Sequence, residues 1–318
     1  MDLAEAQAEN TMNPEIILML LIAWLLLSPR FSMKLYNRFL LTPGKSCGNE
    51  EDLEAFQQLG GEPVYFSNKR GSKLRGWYFH TDSTEFIKTS LLVYSMGADG
   101  DIPKRAQVLT LLLKHKMPIF IYEYSGFGKS EGKPALSQCI EDSQTAFEFA
   151  MQQYQKRPEE IVLYGESFGG AISTLLMQRY NASALIIKSS FSSLARVARD
   201  LCLPLRLYPS CLFPQINTAQ LLQTIHAPVL LIHGLKDRKI HWKHACTLHH
   251  PELVNQKLLW LPESRHAFLP EQDASAFVTG TGLLMAQAAA HTTMIQAQID
   301  YYDLDVLAQE IGKQIEQH

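Results

Sequence analysis

IVLYGESFGGAISTLLMQRY, residues 161 to 180, reads as a buried strand, a sharp turn and a helix in that order. Its first four residues are apolar and suit a pleated surface, whereas the run after the glycines is rich in helix formers. Between them Gly165, Glu166, Ser167, Phe168 and Gly169 fit G-x-S-x-G. A serine on such a turn is held in strained backbone, and glycines two places to either side let neighbouring chain pass without a side-chain clash. The Ser167 hydroxyl is expected to project from the sheet edge. The helix that follows adds its N-terminal dipole near any negative charge that develops there.

A serine hydroxyl is a poor nucleophile until a base takes its proton, so the reading demands an acid and a histidine further along, in that order. Asp237 follows the apolar run PVLLIHG in the loop HGLKDRKI, and His266 follows KLLWLPES in a similar loop. Both fall after successive strands, at the carboxyl ends where sites in open α/β sheets gather. Ser167, Asp237 and His266 are therefore the candidate catalytic residues. Acyl transfer also needs donors for an oxyanion. The backbone N–H of Phe168 is one, and Gly97, in the loop YSMGADGD after the run LLVYS, is the candidate for the other.

Other constellations are weaker. Glu263 lies three residues before His266, on the same loop, and is expected to face solvent. Gly128, Lys129 and Ser130 resemble the end of a phosphate loop, yet that motif needs glycine where the chain has Glu123. His241, His244, Cys246, His249 and His250 crowd one short segment, but their spacing spreads them around a helix and reads as a solvated surface rather than a metal site. No metal and no cofactor is implied.

From about residue 62 short β-rich runs alternate with helical ones, the pattern of a mostly parallel sheet covered on both faces. Strands are predicted over 62–67, 74–80, 91–95, 118–123, 161–165, 185–189, 228–233 and 257–261, with helices over 104–116, 136–155, 168–180 and 241–248. In the second helix Cys139, Ala146, Phe147 and Ala150 make the face expected to pack on the sheet. Residues 194–224 break the rhythm with Pro204, Pro209 and Pro214 among many leucines, so they read as an insertion, or lid. Leu201, Leu203, Leu205, Leu207, Leu212 and Phe213 are expected to roof the site, with burial against the domain core or rest on a bilayer as the alternatives.

Hydrophobic residues form 46% of the 318 and charged residues 19%, enough to bury a substantial core. A net charge of −3 without a long basic run leaves no general attraction for a phosphate backbone, so nucleic acid is not an expected partner. Five scattered cysteines suit a reducing compartment. Free thiols are expected at Cys202 and Cys211, although their nine-residue spacing leaves a single bridge open.

The run Ile16 to Leu27 has no polar side chain, and acidic rather than basic residues precede it, which argues against a cleaved signal. Twelve helical residues rise about 18 Å, short of a bilayer core of about 30 Å. A helix apolar on every side has no solvent face to spare, so membrane association is expected, with a packed or partner-binding helix as the alternative. Arg30, Lys34 and Arg38 on its C-terminal side would keep the catalytic domain in the cytoplasm. The expected organisation is an N-terminal hydrophobic segment over 1–41, a catalytic domain over 42–290 and a helical tail over 291–318. The tail's Ile295, Ile299, Leu304, Leu307 and Ile311 would dock on the domain or serve a partner.

GSKLRGWYFH, YEYSGFGKSEG, LYGESFGG, PVLLIHGLKD and ESRHAFL together resemble the α/β-hydrolase superfamily over residues 39–268. The likeness is to its small lipase- and esterase-like branch with an N-terminal membrane segment, which includes depalmitoylating thioesterases and serine-aminopeptidase-like proteins. The resemblance implies an eight-stranded, mostly parallel sheet with a short lid, and it carries the family roles onto Ser167, Asp237, His266 and the amides of Gly97 and Phe168. One departure is plain: the family's His-Gly-Asn is replaced here by Ser95, Met96 and Gly97. The expected activity is hydrolysis of an ester or thioester of a lipophilic acyl substrate. A serine peptidase and a silent hydrolase fold used for binding are the alternatives.

Overall fold

The computed structural model describes residues 13–44, 54, 56–81 and 90–293. Eight strands form one sheet: β1 (Gly61–Ser67), β2 (Lys73–Phe79), β3 (Leu91–Ser95), β4 (Ile119–Tyr122), β5 (Ile161–Glu166), β6 (Ala184–Lys188), β7 (Val229–Gly234) and β8 (Gln256–Leu261). Their order across the sheet is β8-β7-β6-β5-β3-β4-β2-β1. All adjacent pairs from β8 to β4 are parallel, while β2 runs antiparallel to both β4 and β1. Every residue of β3 to β7 is buried, as expected of strands covered on both faces. Edge strand β1 instead alternates, and it tolerates Pro63 because an edge can spare a donor. All eight predicted strands are present to within a residue or two.

The α-helices that accompany the sheet include α1 (Pro14–Leu26), α2 (Met33–Leu40), α3 (Ala106–Leu113), α4 (Leu136–Gln153), α5 (Phe168–Tyr180), α6 (Leu194–Leu201), α7 (Thr218–Leu222), α8 (Lys243–Leu248) and α9 (Glu271–Thr293). The expected face of α4 is buried at Cys139, Ala146, Phe147 and Ala150. Helix α5 ends where Asn181 takes the left-handed conformation that terminates many helices. Residues 104–116 begin with a 3-10 turn, Ile102–Arg105, so the α-helix there is shorter than its apolar period suggests. The expected tail contacts from Ile295 to Ile311 lie outside the described residues, as does Cys47. Cys202 and Cys211 are free thiols.

The N-terminal residues divide at Ser28 and Pro29. Helix α1 stops before them, and α2 turns back onto the rest of the chain: the Leu136 N–H donates to Asn37 Oδ1 at 3.2 Å, and Leu41 is buried. Thr42 and Pro43 then pair in parallel with Asp99 and Gly100, a two-residue ladder with too little apolar pattern to be read from sequence. Met33, Leu40 and Leu41, grouped above with the hydrophobic segment, thus pack on the core around the sheet. No helix among the described residues is long and apolar enough to cross a membrane.

Candidate active site

The sheet order changes direction at β3, which leads outward to β4 while the chain later returns to lay β5 on its other side. At such a switch point the loops after the two strands diverge and leave a crevice at their carboxyl ends. Ser95 pairs with Gly165 across these strands, so the YSMGADGD loop and the serine turn begin side by side. Ser167 has φ 56° and ψ −120°, a strained setting for a residue with a Cβ. The glycines are sterically required: a Cβ on Gly165 would stand 2.2 Å from the Gly169 carbonyl oxygen, and one on Gly169 would stand 1.9 Å from that of Ser95.

The three candidate residues converge. His266 Nε2 lies 3.0 Å from Ser167 Oγ, and His266 Nδ1 lies 2.8 Å from Asp237 Oδ2. Asp237 comes from the turn after β7, where its other oxygen accepts the Lys239 and Ile240 N–H groups, each at 2.9 Å. Burial alone would raise its carboxyl pKa, but hydrogen bonding and the charge of His266, helped by the Ile240 amide, outweigh that and hold it below its ordinary value. The loop carrying His266 is fixed by Asp273, whose carboxylate accepts from Ser264 Oγ at 2.6 Å and from the Glu263 N–H at 2.9 Å. Glu263 itself reaches out to Lys236, as expected of an exposed loop residue. His233, also near Asp237, has its pKa pushed down to about 4 by burial, and its Nε2–H donates to the Ile240 carbonyl at 2.9 Å.

Gly97 backs directly onto Ser167, since a Cβ there would lie 3.4 Å from the serine Cβ. The adjoining cavity of about 310 Å³ is lined on this side by Ala98, Ser167 and Phe168, so the expected donor loop presents its next residue to the cavity. The remaining walls are almost wholly apolar: Leu136, Phe191, Ile240, then Leu194, Val197 and Leu201 of α6, and Leu40 and Leu41 from the N-terminal region. This corrects the expected lid. Of its six apolar residues singled out by sequence, Leu201 alone lines the cavity. Leu205 and Phe213 are buried in a separate cluster with Ala195, Ala198 and Tyr208, packed by Trp24, Tyr36, Leu40, Cys202 and Leu212. Leu203 and Leu207 are exposed.

A buried charge network beneath the serine escaped the sequence reading. Glu166 accepts from Lys188 Nζ at 3.1 Å and Tyr94 Oη–H at 2.7 Å, with Arg105 at 3.5 Å. Lys188 also donates to the His266 carbonyl oxygen at 3.2 Å, tying the histidine loop to the serine turn. Beyond it, Asp99 bridges Arg105 and Lys239, each at 2.9 Å. Burial pushes the Glu166 pKa up, but Lys188 and Arg105 more than offset this and bring it to about 2. A carboxyl so lowered stabilises the fold above its ordinary value of 4.5, and that share is lost as the pH falls toward 2. The available signal was a lysine closing the otherwise apolar strand ALIIK, one strand from the glutamate. Lys188→Met should leave Glu166 short of a partner and lower unfolding stability by about 3 kcal/mol. The double variant Glu166→Gln/Lys188→Met should recover most of it, as urea titrations of both would measure.

Two other motifs are absorbed by the structure. The Gly128 loop does cradle an anion, but an internal one: the Lys129 N–H donates to Glu123 Oε2 at 2.9 Å, and Glu123 forms a buried pair with Arg75 at 2.7 Å. His244 is buried rather than solvated, contrary to the helical-surface reading. It lies 3.0 Å from Asp200 and 3.0 Å from Ser192 Oγ, and so fastens α8 to the lid helix.

Sheet order, serine turn and convergent loops define an α/β-hydrolase fold. Residues 90–217 match the family described as serine aminopeptidase, S33. Among curated relatives, YfhR of Escherichia coli K12 is 27% identical over 210 residues, covering 64% of this chain and 73% of that protein. Human alpha/beta hydrolase domain-containing protein 17B is 34% identical over 150 residues, covering 46% of this chain and 50% of that protein. The fold is shared with the Pyrococcus furiosus esterase Pf2001, at TM-score 0.63 and 15% identity over 78% of this chain and 98% of that one. It is also shared with Est1E of Butyrivibrio proteoclasticus, solved with ferulic acid bound, at TM-score 0.58 and 16% identity over 71% of this chain and 99% of that one.

Proposed function

We propose that this protein is a serine hydrolase that cleaves carboxylic esters or thioesters of lipophilic acyl groups. Ser167 Oγ attacks the acyl carbonyl carbon while His266 Nε2 takes the hydroxyl proton, and Asp237 steadies the imidazolium that results. The carbonyl oxygen, now carrying the negative charge, is received by the Phe168 amide and by amides of the loop at Gly97. Collapse of the tetrahedral adduct expels the alcohol or thiol, which leaves with the proton from His266, and the acyl group stays on Ser167. Water then enters and attacks the acyl carbon as His266 removes its proton; collapse of this second adduct breaks the bond to Ser167 Oγ, which takes the proton back from His266, and the acid is released. The observation that carries this reading is the unbroken chain of contacts from Ser167 through His266 to a buried carboxylate.

The walls of the adjoining cavity favour an acyl chain. A peptidase acting at a free N-terminus needs a carboxylate for the substrate ammonium, whereas the described residues that line the cavity include Lys239 and no Asp or Glu. Each buried methylene is worth about 0.8 kcal/mol, so two added carbons should raise kcat/KM by more than about tenfold until the cavity is full. The test is kcat/KM over p-nitrophenyl esters from acetate to palmitate, beside an acyl thioester and an aminopeptidase substrate. Values that fall steadily from acetate, or turnover of the peptide alone, would exclude the lipophilic reading.

We also read the N-terminal segment as membrane-associating, with the catalytic domain on the cytoplasmic side. Support comes from the apolar run Ile16 to Leu27 and the basic residues Arg30, Lys34 and Arg38 that follow it. The catalytic unit is read as residues 42–290, supplemented by the packed residues of α2.

A further inference from the structure

Helix α1 exposes apolar side chains on all sides and buries none of its residues. It is nonetheless held in a fixed place: Trp24 stacks on Tyr208 of the lid with centroids 4.9 Å apart, and the Tyr36 hydroxyl donates to the Leu27 carbonyl at 2.7 Å. Beside it, the 3-10 turn Leu203–Leu207 points two leucines at solvent, Leu203 at 68% and Leu207 at 72% exposure. Leu201 both lines the acyl cavity and is half exposed, so the cavity wall continues onto this surface. Residues 16–44 and 201–217 contain no Asp or Glu, while Arg30, Lys34, Arg38 and Arg206 are all exposed.

We propose that α1 and the exposed lid leucines form one docking face for an anionic lipid bilayer, with the mouth of the acyl cavity opening against the lipid. This rests on the hydrolase reading for its functional meaning and on the surface itself for binding. A partner protein laid along α1 would cover one stripe and leave the opposite apolar side in water, whereas hydrocarbon surrounds a helix. The thirteen residues of α1 extend about 20 Å, too short for a core of about 30 Å but enough to enter one leaflet at a tilt. The basic residues then meet the headgroups, where negative lipids attract them, and the one carboxylate of α1, Glu15, lies in its first turn, at the opposite end of the helix from them. A second copy of the chain would place the same four cations against themselves. Seated this way, the lid tip enters the leaflet beside α1, and a lipid-borne acyl chain reaches Ser167 without crossing water.

The test uses the full chain, synthesised in the presence of vesicles and floated on a density gradient. The wild type should float with mixed phosphatidylcholine–phosphatidylserine vesicles and less with phosphatidylcholine alone. Leu203→Glu/Leu207→Glu should float at least about tenfold less, because two large apolar side chains no longer enter hydrocarbon. It should also turn over a vesicle-embedded long-chain ester at least about tenfold more slowly, while its kcat/KM for soluble p-nitrophenyl butyrate stays unchanged, since neither leucine lines the cavity. Equal flotation of the double variant and wild type overturns the docking face, and equal flotation on neutral vesicles overturns its anionic character. A wild type left below the vesicles as a dimer that the two substitutions dissociate assigns the surface to a second copy instead. Loss of soluble-ester turnover in the wild type would defeat the hydrolase reading and leave flotation to judge the surface independently.

Discussion

Ser167→Ala is expected to lower kcat for a p-nitrophenyl ester by about 10⁶-fold, the scale seen when a serine protease loses its nucleophile, and to abolish labelling by a fluorophosphonate probe. The size follows from what the hydroxyl supplies. Without it the acyl group has no covalent acceptor, and what remains is the binding cavity and any oxyanion donors acting on attack by water. The fold should be untouched. Alanine keeps the Cβ, so the strained backbone at φ 56° is neither relieved nor worsened, and only one oxygen is lost from a contact with His266. Urea midpoints of the two proteins should therefore agree to within about 0.5 kcal/mol of stability. Turnover kept by the alanine variant would place the nucleophile elsewhere, and loss of both activity and stability would mean that the comparison had measured unfolding.

The features that sequence carries well here are those enforced locally or by period. Strands β3 to β7 are legible because burial on both faces demands continuous apolar runs, and the serine turn because its glycines are sterically obligatory. The acid and the histidine were found by order along the chain, a constraint of topology rather than of neighbouring residues. What escaped depends on contacts between distant segments. Leu40 and Leu41 wall the cavity beside Leu136, but nothing in the string FLL at residues 39–41 says that it turns away from the apolar run before it. The lid leucines all have the same chemistry, so composition cannot separate Leu201 at the cavity from Leu205 in the lid cluster or Leu203 at the surface. Nothing local to Glu166 or Lys188 marks them as partners, and only the pairing of β5 with β6, which aligns the two, makes them one buried pair.

Asp237→Asn should lower kcat by about 10⁴-fold with little change in KM, as replacement of the corresponding acid does in a serine protease. The geometry of this site says why the amide cannot substitute. Asp237 Oδ1 accepts two backbone N–H groups, from Lys239 and Ile240, while Oδ2 accepts the His266 Nδ1 proton. An asparagine has one acceptor to offer in place of two. If its oxygen faced His266, its NH₂ would confront the two backbone donors in a buried pocket, at a cost of about 1–3 kcal/mol for each group left unsatisfied. The favoured arrangement turns the oxygen to the backbone and the NH₂ to His266. The imidazole must then accept at Nδ1 and carry its proton on Nε2, the nitrogen that has to accept the proton of Ser167. The variant thus binds substrate in an intact cavity but holds its base in the wrong tautomer. Glu263→Gln provides the contrast: its partner is the exposed Lys236, and such pairs contribute at most about 1 kcal/mol, so kcat should change by less than about threefold. Steady-state kinetics of both variants on one soluble ester decide the matter, and greater damage from Glu263→Gln than from Asp237→Asn would transfer the acid's role to Glu263.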